Sequence, residues 1–109
     1  MKSLQFANFF TEAGTGTSPV VKNKMSANDL FLTVQAAGDV DLTVKGLTDG
    51  SEDTEANWVT LRVIDMQTYT MTDKIESDGL FGVPLGAVEW VKVVNGGGTV
   101  TVFGTFGNQ

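Results

Sequence analysis

Four carboxylates crowd the stretch TDGSEDTEAN: Asp49, Glu52, Asp53 and Glu55. Hard oxygen ligands gathered in one loop suit calcium. Their spacing does not follow the EF-hand pattern, and Gly50 and Ser51 leave the carboxylates unconstrained, so the stretch reads as a solvated loop without a tight cation site. Three aromatics, Trp58, Tyr69 and Trp90, could form a platform for a sugar. Each also fits a sandwich core or a protein interface, where large aromatics dominate burial. Beyond these the chain offers little to chemistry. It has no His, which removes the commonest general base and a common zinc ligand, and no Cys, so it has neither disulfides nor thiolate sites. Nucleophilic catalysis would need a Ser or Thr activated by Lys or a carboxylate, and the few lysines sit in patterns that face solvent. The expectation is a chain that is not an enzyme and holds no cofactor and no metal.

The elements that would position these residues read as strands. Ser3 to Phe10 is apolar and aromatic, a first strand in outline. Residues 11–29 form a long polar connection carrying Gly14, Gly16 and Pro19, either an arm or a loop hiding a short edge strand. From Leu30 the pattern sharpens: Leu30, Leu32, Val34 and Ala36 share one face, then Val40, Leu42 and Val44 share another, with Gly38-Asp39 between them. Such alternation around a two-residue turn signal predicts an antiparallel hairpin with one wet face. Trp58 to Met66 reads as the next strand, and Thr68 to Thr72 continues in β-prone residues. Asp78-Gly79 marks a turn, and Pro84 assigns Leu80 to Leu85 to an edge or a strand end. The last two strands are Ala87 to Val94 and Thr99 to Phe106. In the first, Val91 and Val93 face one way and Val88, Trp90 and Val94 the other. In the second, Phe103 points away from Val100, Val102 and Phe106. The NGGG between them predicts a tight hairpin turn with positive φ angles. No segment shows a 3.6-residue apolar period. The fold class expected is all-β, an antiparallel β-sandwich or jelly roll of about seven to nine short strands.

The 109 residues suffice for one domain with a modest core. Residues 1–28 are expected to form an N-terminal segment or arm, and 29–109 the sandwich domain. Seven basic and thirteen acidic residues give a net charge of −6, which argues against nucleic acid and against anionic membrane surfaces. The N-terminal apolar run is short and broken by Gln5 and Asn8, unlike a signal peptide, so synthesis in a cytosol is expected.

From about Leu30 to Phe106 the order of features resembles small β-sandwich structural proteins of tailed bacteriophages. The matching pieces are Asp49-Gly50, WVTL at Trp58 to Leu61, Asp78-Gly79, VKVV at Val91 to Val94, and the closing GGGTVTVFGTF. The acidic stretch after Asp49-Gly50 is longer than in that pattern. The resemblance implies a virion protein made in the host bacterial cytoplasm: a capsid decoration (cement) protein, a head fibre or a tail module. Of these it points first to decoration of the capsid exterior, with the major capsid protein as partner and a homo-oligomer as the assembly. A carbohydrate-binding or adhesion module is the rival reading. Phe6, Phe9, Phe10, Trp90 and Phe103 are the candidate partner contacts, being aromatics on an arm or on a neutral sheet face.

Overall fold

A computed structural model describes residues 4–24, 30–48, 51–86 and 88–108 of the chain. The candidate boundary at residue 28, Asp49-Gly50 and Ala87 lie outside the described residues. The fold is an antiparallel β-sandwich. Its strands are β1 (Leu4–Ala13), β2 (Gly16–Thr17), β3 (Val21–Lys22), β4 (Leu30–Gly38), β5 (Leu42–Thr48), β6 (Val59–Thr60), β7 (Val63–Asp65), β8 (Thr70–Thr72), β9 (Gly79–Pro84), β10 (Val88–Asn95) and β11 (Val100–Asn108). One sheet runs β1-β11-β4-β9-β7-β8; the other runs β2-β10-β5-β6, with β3 also on β10. Strands outnumber the seven to nine expected because β2, β3 and β6 are two-residue pieces. The only helix among the described residues is a single 3-10 turn, Glu55–Asn57.

The inward faces are those the alternation indicates. Leu32, Val34 and Ala36 of β4, Leu42 and Val44 of β5, Val91 and Val93 of β10, and Val100, Val102 and Phe106 of β11 are buried in one core between the sheets. Burying each such side chain contributes roughly 1.5–3 kcal/mol. Ile75 closes one end, exchanging backbone hydrogen bonds with Leu42 across the gap between sheets.

The expected pairings are corrected in three places. β4 and β5 are not a hairpin: β4 lies between β11 and β9, whereas β5 lies between β10 and β6 in the other sheet. β10 and β11 are likewise in different sheets, so the NGGG stretch is a sheet-to-sheet corner rather than a hairpin turn. The strand expected over Trp58 to Met66 divides after Thr60, with β6 in one sheet and β7 in the other. In each case the inward side chains serve the same core, which is why alternation alone cannot separate a hairpin from a crossing.

The two corners pack against each other. Gly98 N–H donates to Asp39 O (2.9 Å), Asp39 N–H to Thr99 O (3.0 Å) and Gly96 N–H to Asp41 O (2.9 Å). Asn95 buries its side chain there, its Nδ2 donating to Gly98 O (2.8 Å) and its Oδ1 accepting from Gly97 N–H (2.9 Å). None of the three glycines has a positive φ. Their requirement is space: a Cβ on Gly97 would overlap the Asp39 carbonyl oxygen.

The N-terminal segment is corrected too. Over Leu4–Ala13 it is an edge strand of the six-stranded sheet, registered on β11 from Leu4↔Gly107 to Ala13↔Val100. The register shifts between Asn8 and Phe10, leaving Phe9 as an extra residue. A bulge of this kind turns two adjacent side chains to one side. Phe9 and Phe10 are therefore both in the core, 3% and 6% exposed. The polar connection that follows hides two edge strands on β10. Pro19 interrupts them, and Ser18 bridges the break: its N–H donates to Val93 O (2.8 Å) while its Oγ accepts from Val93 N–H (2.8 Å).

Candidate functional site

The outer face of the six-stranded sheet gathers most of the chain's exposed large apolar side chains. Antiparallel partners in register point to the same side of a sheet. The pairs Phe6↔Thr105 and Asn8↔Phe103 therefore set Phe6 and Phe103 on one face, in neighbouring rows of adjacent strands. Onward through Phe103↔Gln35 and Gln35↔Leu80 the same face carries Leu80 on β9, and through Ile64↔Gly82 and Ile64↔Met71 it reaches Met71 on β8. Leu4 lies at its near end. The face positions paired in this way are Leu4, Phe6 and Asn8; Phe103 and Thr105; Phe31, Thr33 and Gln35; Leu80, Gly82 and Pro84; Ile64; and Met71. None of them is charged.

Phe6 is 77% and Phe103 46% exposed, and Leu4, Leu80, Met66 and Met71 are exposed with them. Phe31 is half-buried because its ring lies over Gly82, where an added Cβ would meet ring carbons and the Met66 sulfur. Glycine at that position lowers the sheet surface locally and lets an aromatic lie flat on it. The face is thus relieved rather than flat, with Phe6 as its most prominent feature.

Of the five candidate contact residues, the structure brings Phe6 and Phe103 together on this surface. Phe9 and Phe10 are corrected: the bulge in β1 commits both to the core, and neither presents surface to a partner. Trp90 is on the other sheet, half-buried, with Lys22 Nζ 5.3 Å from its ring centre. Leu4, Leu80 and Met71 were missed in the sequence; of these Leu80 alternates with the core residue Phe81, whereas Met71 lies between exposed threonines and carries no such signal.

Part of the outer face of the other sheet, around Lys45 and Lys92, is covered by the chain itself. Residues 51–58 fold across it as a strap. Glu55 takes Lys45 Nζ at 3.1 Å and Lys92 Nζ at 3.0 Å. Trp58 Nε1 donates to Asp53 Oδ1 (2.7 Å), and Lys92 Nζ lies 4.4 Å from the Trp58 ring centre. Lys92 is a buried ammonium flanked by Val91 and Val93, and the Glu55 carboxylate and the Trp58 π face together offset its loss of water. The hydrogen bond from Lys92, then that from Lys45, holds the Glu55 carboxyl below its ordinary 4.5. Asp53 and Glu55 of the acidic cluster are therefore engaged within the chain, and Asp49 lies outside the described residues. No group of three metal-capable side chains gathers among the described residues. Nor do Trp58, Tyr69 and Trp90 share a platform: Trp58 is buried at the end of the strap against Lys92, while Tyr69 is exposed in the turn between β7 and β8.

No helix among the described residues is long and apolar enough to cross a membrane. No family model matches the chain, and no curated protein matches it in sequence. Solved structures do share its fold. The SPBc2 prophage-derived protein YomS superposes with a TM-score of 0.80 at 12% identity, over 99% of this chain and 96% of that one. The PBSX exported protein XepA superposes with a TM-score of 0.77 at 12% identity, over 98% of this chain but 38% of that longer one. At such identity the likeness is one of fold alone, shared with a prophage-derived protein.

Proposed function

We propose that this chain is a non-catalytic structural protein of a bacteriophage particle, made in the host cytoplasm and placed on the capsid exterior as a decoration protein against the major capsid protein. The observation that carries the reading is the uncharged, apolar outer face of the six-stranded sheet on a chain of net charge −6. Exposed large apolar side chains gathered on one uncharged face of a small protein fit a protein contact. The fold shared with a prophage-derived protein supports the phage assignment, and the engagement of Asp53 and Glu55 within the chain weighs against a calcium-dependent adhesion module. A protein that binds only the assembled lattice stabilises it by mass action, about 2.7 kcal/mol per site when its concentration is 100 times its dissociation constant.

The test is electron microscopy of particles from a lysogen carrying a tagged copy of the gene, with the protein content of the purified particles measured in parallel. Label on the capsid surface at lattice spacing supports decoration. Label at the tail supports a tail or baseplate component of the same fold instead, and particles free of the protein would refute a virion role.

A further inference from the structure

We infer that Asn95 is a self-modification site gated by the packed corner: its carboxamide deamidates through the Gly96 nitrogen when the corner opens and is protected while it is closed. Asn95 is the one asparagine in the sequence that is followed by glycine. A glycine there sets no side chain against the attacking nitrogen and leaves the backbone free to bend toward it. The step needs no enzyme, metal or oxidant. The Gly96 nitrogen gives up its proton to water or hydroxide and bonds to Asn95 Cγ, and Nδ2 takes up a proton and leaves as ammonia. Water then opens the resulting cyclic imide at either of its carbonyls, giving Asp or an isoaspartyl linkage.

The closed corner withholds what the reaction requires. The proton that must leave, on Gly96 N, is donated to Asp41 O (2.9 Å). Asn95 ends β10 and is paired on both sides, with Leu42 of β5 and Gly16 of β2, so its backbone is held extended and cannot swing the nitrogen onto Cγ. The leaving group is tied as well: Nδ2 donates to Gly98 O (2.8 Å) and to Gly14 O (3.3 Å). Only Oδ1 is placed to help, because the Gly97 N–H that it accepts (2.9 Å) polarises Cγ. The residue is 1% exposed, which keeps out the water that both steps consume. Opening the corner removes these restraints together, since they join its own strands and loops. The product cannot return to the same place. An Asp carboxylate has no proton for the Gly98 and Gly14 carbonyls and would be buried against both. An isoaspartyl linkage adds a methylene to the main chain and breaks the register with Leu42 and Gly16. Deamidation therefore retires a molecule whose corner has opened and reacted.

The experiment is incubation of the purified full chain in mildly alkaline buffer, with and without concentrated urea. Conversion of the Asn95 peptide is followed by mass spectrometry. In urea the wild type should convert readily. In buffer it should convert about 100-fold more slowly, the scale of the three backbone hydrogen bonds between the corners that opening gives up. Gly97→Ala, which forces the corners apart, should convert about 30-fold faster than wild type in buffer and at the same rate in urea. Circular dichroism checks that this variant keeps its strands. If it does not fold, the wild type carries the test alone, its rate climbing as urea approaches the unfolding midpoint. The converted fraction, separated by ion exchange, should not recover the native melting transition. Equal wild-type rates in buffer and urea would overturn the inference, as would a folded Gly97→Ala that converts no faster than wild type. Converted protein that melts like wild type would overturn the claim that the change retires the molecule.

Discussion

Gly97→Ala is the substitution that weighs most directly on the architecture. The methyl group would be driven into the Asp39 carbonyl oxygen and would also stand 3.2 Å from the Asp41 amide nitrogen. Both are backbone atoms, so no side chain can swing aside. Ordinary carbon–oxygen contacts are about 3.3–3.6 Å, so the two corners must part by roughly 1 Å. The bonds Gly98 N–H to Asp39 O, Asp39 N–H to Thr99 O and Gly96 N–H to Asp41 O, now 2.9–3.0 Å, would then exceed hydrogen-bonding range. Three bonds at about 1 kcal/mol each give about 3 kcal/mol of loss. Alanine's smaller unfolded-state entropy returns about 0.4–1 kcal/mol. The net is about 2 kcal/mol, a fall in melting temperature of roughly 10 °C for a domain of this size. Thermal and urea unfolding read it, with Gly14→Ala as the control, because nothing lies near a Cβ there. A Gly97→Ala protein that melts within a couple of degrees of wild type would refute the packed-corner account.

Three further outcomes are expected. Phe9→Ala should destabilise dilute protein by about 3–5 kcal/mol, whereas Phe6→Ala should stay within about 0.5 kcal/mol, as chemical denaturation will measure. For Glu55 the folded carboxyl titrates below its ordinary 4.5, so its contribution is fully present above 4.5 and is lost as pH falls through the lower folded value. The melting-temperature gap between wild type and Glu55→Gln should therefore be open near neutral pH and close in acid. Tyr69 has a φ of 57°, a conformation that Asn tolerates better than a residue with a bulky side chain, and its own ring is exposed. Tyr69→Asn should raise stability by roughly 0.5–1 kcal/mol in the same unfolding assay.

The faces of the strands were legible in the sequence and their partners were not. Val91 and Val93 fall inward because period two states which side of a strand is apolar, and nothing else competes for that information. Val88 departs from the phase because the register shifts between Val88 and Trp90, putting it against the core near Gly46. The doublet Phe9-Phe10 carried a usable signal of the same sort: two adjacent large apolar residues cannot both face one core from a regular strand, so placing both there requires a bulge. Gly38-Asp39 and NGGG looked like hairpins because turn chemistry and flanking alternation are the same for a chain that folds back beside itself and one that crosses to the opposite sheet. What distinguishes them is the partner of each corner, here the other corner, 57 residues or so along the chain. The strap was illegible for a related reason. Lys92 between two core valines reads as an ordinary outward lysine until Trp58 and Glu55 are seen to close over it.

The two outer faces pose one physical problem and meet it differently. An apolar or half-apolar sheet surface in water is unfavourable at roughly 25 cal/mol per Å². On the smaller sheet the chain between Thr48 and Val59 is long enough to return across the strands, and Trp58 from that segment is buried there. On the larger sheet no connection among the described residues does the same. The turn between β7 and β8 spans only Met66 to Tyr69, and residues 73–78 are tied to the core by Ile75. The exposed Phe6, Phe103, Leu4, Leu80 and Met71 therefore have no cover available from their own described chain. Selection for solubility alone would replace them with Thr or Lys at little structural cost, since none packs in the core. Their presence on a face whose paired positions carry no charge fits a surface whose cover comes from another molecule.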